Sequence, residues 1–195
     1  METVILAIMA LSVVSFILKL TFHRLPGLLT MGLLAALFIL IVAEPATGLS
    51  KTLISDWLSS PQLMLDTAVV LTVDVAVQIY FCYLYADARG RKLTMRERAT
   101  MGVCLWLPGL LIFPVLAAIL TGLYFTLTGI DFSTIAFTAS AVALILFPLL
   151  AWAVRRLIPE SDLRLELLFM SSLIIAALGT LATVNGTTYV QAFAD

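Results

Sequence analysis

Two aspartates, Asp66 and Asp74, stand in one long apolar run of this chain, with Thr67 and Gln78 beside them. At about 100° per residue, Thr67, Asp74 and Gln78 fall within roughly 40° of one another, and Asp66 lies about 80° from Asp74. If the run is a membrane helix, Asp74 sits near the bilayer centre. An aspartate there costs about 2.5–3.5 kcal/mol even on the forgiving insertion scale. Such a carboxyl group faces the protein interior or a wet cavity. Left uncompensated in a low dielectric, it tends to hold a proton, and gives it up when water or a cation arrives. Asp74, with Asp66, Thr67 and Gln78 lining the path, is therefore the candidate proton or cation relay. The competing reading is a neutral Asp that ties two helices by hydrogen bonds.

The last apolar run carries a second pattern. Ser172, Ala176, Gly179, Thr183 and Gly186 recur at spacings of three and four. Small residues at that spacing let another backbone approach closely. If this helix faces the one bearing Asp74, then Ser172, Gly179, Thr180, Thr183 and Gly186 help to form a polar pocket between the two. Packing alone also accounts for the ridge.

Other chemistries find little support. There is no G-x-S-x-G, no H-E-x-x-H and no Walker A loop. An intramembrane aspartyl protease needs acids on facing helices, and Asp66 and Asp74 share one. Cys82 and Cys104 have no CxxC partner, which suggests neither zinc nor a redox dithiol. His23 is the one histidine and has no second ligand nearby. The expectation is a protein that is not an enzyme, with no cofactor, no metal and no nucleic-acid partner.

These residues need elements to hold them. Of 195 residues, 62% are hydrophobic and 12% charged; soluble domains carry roughly 45–50% and 25%. Continuous apolar runs, rather than ten-residue alternating ones, predict an all-α, polytopic transmembrane bundle of about six helices. They cover about 3–22, 27–43, 62–85, 101–127, 134–157 and 165–190, forming one transmembrane domain over 1–195. The first run lacks a basic leader and a cleavage site and reads as a retained helix. Glu44 to Gly48 breaks the chain after the second run. Residues 49–60 read either as a short amphipathic surface helix with Trp57 at headgroup depth or as a plain loop. Pro108 and Pro114 interrupt the fourth run, which could hold a kinked or re-entrant piece. Pro148 lies in the fifth. These prolines mark stable kinks, hinges or unwound carbonyls. Leu25-Pro26-Gly27-Leu28-Leu29 recurs as Leu107-Pro108-Gly109-Leu110-Leu111.

Ten of the eleven Lys and Arg residues fall in three short segments on one side of this bundle; only Lys51 lies on the other. Basic loops mark the cytoplasm, so both termini are expected on the extracytoplasmic side of a bacterial inner membrane. Lys19 is placed with His23 and Arg24 at that cytoplasmic edge. No basic residue is expected deep in a helix to neutralise Asp74.

Size, helix number, the near absence of soluble regions and the acids Asp66 and Asp74 give a layout that resembles two groups. One is the small polytopic subunit accompanying ExbB/TolQ-type motor proteins in bacterial haem-uptake operons. The other is the six-helix exporters of the lysine-exporter type. The first likeness implies a membrane subunit of a transport-energising complex coupled to the proton-motive force. The second implies a self-contained secondary transporter. A non-transporting scaffold is the third expectation. Partners are then the lipid bilayer and other membrane subunits, or a second copy of the chain.

Overall fold

The structure, a computed structural model, describes residues 2–48, 61–91, 94–127 and 129–192, with side chains described over 3–48, 66–91, 94–127 and 129–182. The described residues form seven helices and no strand. These are α1 (Glu2–Leu20), α2 (Leu25–Thr47), α3 (Pro61–Gly90), α4 (Met95–Trp106), α5 (Ile112–Thr126), α6 (Phe132–Leu157) and α7 (Ser161–Ala192). Five of them, α1, α2, α3, α6 and α7, are long and apolar enough to cross a membrane; α5 is apolar but shorter. The chain thus has the make-up of a multi-pass membrane protein. The surface agrees with this. Leu29 is 59% and Ile145 67% exposed, a pattern suited to acyl chains and costly in water.

Helix ends follow local chemistry. Pro26 stands in the first turn of α2, and Pro114 in the first turn of α5, where a missing N–H removes no helical bond. The second apolar run does not stop at Ala43: α2 continues through Glu44 and Pro45 to Thr47. Proline in a last turn sacrifices one hydrogen bond, which is too little to end the helix earlier. The polar segment after the third run is also more ordered than expected, because α3 extends to Gly90. Thr94 then opens α4 with a capping box: its Oγ1 accepts from the Glu97 N–H, and Glu97 Oε2 accepts from the Thr94 N–H at 2.8 Å. Arg91 grips both Asp87 at 2.6 Å and Glu97 at 2.7 Å, so one guanidinium joins the end of α3 to the start of α4. Arg91 and the Thr94 amide hold the Glu97 carboxyl down at about 2. Residues 49–60, with the surface helix expected there, lie outside the described residues.

Packing divides the bundle around α1. On one side α2 lies along α6, with α5 beside them. Phe16 of α1 enters this side and meets the Phe147 ring edge-on at 5.1 Å. Pro148 leaves α6 continuous. A Cβ on Gly32 would fall 3.2 Å from both the Leu144 carbonyl and the Pro148 ring, so Gly32 is what lets α2 close on this stretch. On the other side α3 lies along α7, and both touch α4 or α1. Leu18, Phe81, Cys82, Cys104, Leu165 and Leu168 fill the end of this side toward the basic segments. Leu71, Val75, Leu111 and Ile175 fill the opposite end. Both cysteines are buried and unpaired.

Candidate functional site

The fourth apolar run is broken, and the break meets Asp74. Helix α4 ends at Trp106, and α5 starts at Ile112. Between them lies Leu107-Pro108-Gly109-Leu110-Leu111. Pro108 has no N–H, and Gly109 carries no side chain, so the segment neither continues α4 nor fills its surroundings. The N–H groups just ahead of α5 are left without helical acceptors. Asp74 supplies one: its Oδ1 accepts from the Leu110 N–H at 2.5 Å, and the Leu111 N–H also reaches the carboxylate. The acid therefore caps the positive end of α5 from a different helix. In hydrocarbon an unbonded amide costs several kcal/mol, which a buried carboxyl acceptor relieves.

Asp74 and Gln78 stand one turn apart on α3 and are 2% and 3% exposed. Gln78 Nε2 donates to Asp74 Oδ2 at 2.7 Å. The Ser172 hydroxyl on α7 reaches Gln78 Oε1 at 3.0 Å and the Leu168 carbonyl at 2.8 Å. Ser15 of α1 and Ser171 of α7 bond at 2.8 Å. A Cβ on Gly109 would sit 3.3 Å from Gln78 Nε2 and 3.4 Å from Asp74 Oδ1. A side chain there would crowd the acid and Gln78 by a few tenths of an ångström, and glycine avoids this. The unwound segment offers N–H groups to this site.

Lys19 corrects the expectation of an uncompensated carboxylate. It belongs to the last turn of α1, is 2% exposed, and turns into the bundle rather than out to the edge. Its Nζ lies 5.8 Å from the centre of the Phe81 ring. It acts electrostatically on Asp74, Cys82 and Cys104. No hydrogen-bond acceptor meets it among the described residues. The seam that includes Asp74 thus has a buried cation at one end.

The other expected residues distribute as follows. Thr67 is half-buried, about two turns outward of Asp74. It lines a cavity of about 120 Å³ together with Ile8 and Ser12 of α1, Leu71 of α3, Leu111 and Gly179. Asp66 is exposed at the start of its span and does not join Asp74. Gly179 is where α7 closes on α3: a Cβ there would fall 2.6 Å from Leu71 Cδ1. Gly179 thus borders a largely apolar cavity, while Ser172 lies at the same helix contact, bonded to Gln78. Thr180 is exposed and donates to the Ala177 carbonyl at 2.8 Å, so it points away from the pocket. The side chains of Thr183 and Gly186 lie outside the described residues. Among the described residues no three His, Cys, Asp or Glu side chains group as metal ligands would.

His23 stands in the turn between α1 and α2. It is buried, and its Nε2 bonds the Leu105 carbonyl at 3.0 Å, a group that the end of α4 releases. Burial lowers the His23 pKa against the opposing pull of that carbonyl. Arg155 in turn donates to the carbonyls of Thr21 and His23. The two Leu-Pro-Gly-Leu-Leu segments now show a common use. Each precedes or opens a helix, and a Cβ on the glycine of each would crowd a polar group, His23 Nδ1 for Gly27 and the Gln78–Asp74 pair for Gly109.

No family model, curated protein or solved structure matches this chain.

Proposed function

We propose that this chain is a transport protein of a bacterial cytoplasmic membrane, or the membrane subunit of a complex that energises transport, and that it handles protons at Asp74. One observation carries this reading. A carboxyl group buried at mid-span is held against the N–H groups of a discontinuous helix, the arrangement by which transporters place an ionisable group inside a bilayer. A proton arriving at Asp74 weakens its grip on the Leu110 amide, because a charge-assisted hydrogen bond is roughly twice as strong as a neutral one. Protonation and the position of α5 are thereby linked. The reading includes six crossings, with α5, the break and the end of α4 together supplying the discontinuous one. Both termini lie outside, as the basic segments dictate. Layout favours a hetero-complex, and a motor protein of the ExbB/TolQ type is the partner the resemblance implies. Haem uptake is then the process served.

The test uses right-side-out membrane vesicles from cells that make the chain with whatever it assembles with. Proton uptake driven by an imposed gradient is followed in the native protein and in Asp74→Asn. Loss of uptake at unchanged protein level supports the reading. Equal uptake in both leaves Asp74 a structural cap and the chain a scaffold. Gentle detergent extraction and mass determination then separate a hetero-complex from a homo-oligomer or a solitary transporter.

A further inference from the structure

Lys19 is the group that the account of Asp74 leaves without a task. An ammonium 2% exposed, with no acceptor on its Nζ among the described residues, is an expensive thing to bury. It is not there to support a helix end, since Arg155 already holds the carbonyls of Thr21 and His23 after α1. Its surroundings are an aromatic face and two thiols. The ionisable groups that face it are Asp74 and Cys82 from α3, Cys104 from α4 and, on the turn after α1, His23.

Its depth is informative. Asp74, Gln78 and Cys82 follow one another by single turns along α3, and Phe81, the ring under Lys19, lies seven residues beyond Asp74. At 1.5 Å per residue this is about 10 Å along the helix. Gln78, bonded to Asp74 and to Ser172, occupies the middle. Outward of Asp74 the cavity lined by Leu71 and Leu111 approaches the acid. Inward of Lys19 the chain reaches the turn of Thr21 to Arg24 and the basic segments. The carboxylate and the ammonium thus stand at successive depths of one polar core.

We propose that Lys19 is the inner station of the proton path, exchanging one proton with Asp74. This rests on the proton-handling reading of Asp74. The cycle starts with a carboxylate and an ammonium. A proton from the outer side converts Asp74 to the acid. Lys19 then releases a proton from Nζ to the inner side and becomes the neutral amine. The acid proton is carried to the amine lone pair through water admitted beside Gln78, since the two groups stand beyond direct hydrogen-bond reach, and this restores carboxylate and ammonium. One proton has crossed, no other bond has changed, and the pair is never left as a lone buried anion.

The experiment compares Lys19→Arg, Lys19→Met and Asp74→Asn in the same vesicles with two readouts. The first is gradient-driven proton uptake. The second is labelling of Asp74 by a hydrophobic carbodiimide, which reacts with the protonated acid and is read by mass spectrometry. Arginine keeps the charge but does not release its proton, so Lys19→Arg is expected to label like the native chain and to lose uptake by about a hundredfold or more. Lys19→Met removes the countercharge, so Asp74 labelling should rise several-fold. Normal uptake in Lys19→Arg overturns the proposal, since a static countercharge would suffice. Native-level labelling in Lys19→Met also overturns it, since the two groups would not share charge. If Lys19→Met labels strongly while the native chain shows no Asp74-dependent uptake, the charge pair is real and the proton-handling reading is what fails, taking the relay with it.

Discussion

The cap on α5 can be isolated by comparing two substitutions that remove the same charge. Asp74→Asn keeps an oxygen where Oδ1 accepts from the Leu110 N–H. Its new amide would face Gln78 Nε2, donor against donor. Turning the Gln78 amide over removes the clash, because Gln78 Oε1 then meets the Asn and Nε2 meets the Ser172 hydroxyl, which still donates to Leu168. Asp74→Ala removes the acceptor as well and strands the amides of Leu110 and Leu111. Both variants leave Lys19 without its countercharge, so that cost cancels in the difference. What remains is the orphaning of buried N–H groups, about 1–3 kcal/mol. Reversible unfolding in mixed micelles with rising dodecyl sulfate measures it. Asp74→Ala should be less stable than Asp74→Asn by that amount. Values agreeing within about 0.5 kcal/mol, the usual scatter of such comparisons, would refute the claim that the acid caps α5.

Gly109→Ala should destabilise by about 1–3 kcal/mol in the same assay, since its Cβ crowds Asp74 and Gln78, whereas Gly122→Ala, in open space within α5, should stabilise by about 0.5–1 kcal/mol. Gly179→Ala should weaken the α3–α7 contact, and adding Leu71→Ala should recover part of the loss; strict additivity in a double-mutant cycle would deny that the two residues touch. The Glu97 carboxyl, held at about 2, gives a pH dependence of definite sign. Its contribution is complete above the ordinary glutamate value near 4.5 and is lost as pH falls from there through 2, so amide exchange at the start of α4 should stay slow at pH 5 and quicken toward pH 2. His23 works in the same direction at higher pH: its lowered pKa means that stability falls as pH drops below about 6.5, and His23→Gln should flatten that slope.

The architecture was largely legible because uninterrupted apolar length is a strong signal. Five long spans and the proline-broken fourth run follow from it directly. Asp74, Gln78, Ser172 and Gly179 were legible because helical spacing places them on faces that meet. Thr180 is exposed, and its polarity alone did not give its direction. Lys19 was missed because a charge near a run's end is assigned to the interface by habit. Yet Ser12, Ser15 and Lys19 recur at spacings of three and four and are all buried, so α1 carries a polar stripe that its sequence displays. The docking of Leu110 on Asp74 was not legible at all. It depends on where an unwound segment rests against another helix, and no periodicity encodes that. The repeated Leu-Pro-Gly-Leu-Leu was the available hint, as a place where backbone would come close to a polar group.

The bond between Ser15 and Ser171 joins residues 156 positions apart in the chain. Helix α1 is made before α3 and α7, so its Ser15 hydroxyl enters the membrane ahead of the Ser171 hydroxyl that bonds it. The helix must wait in lipid or against the insertion machinery, half-accommodated, until α7 follows. A helix made before its companion is settled only once that companion follows, and a chain truncated before α7 should be cleared by quality-control proteases rather than accumulate.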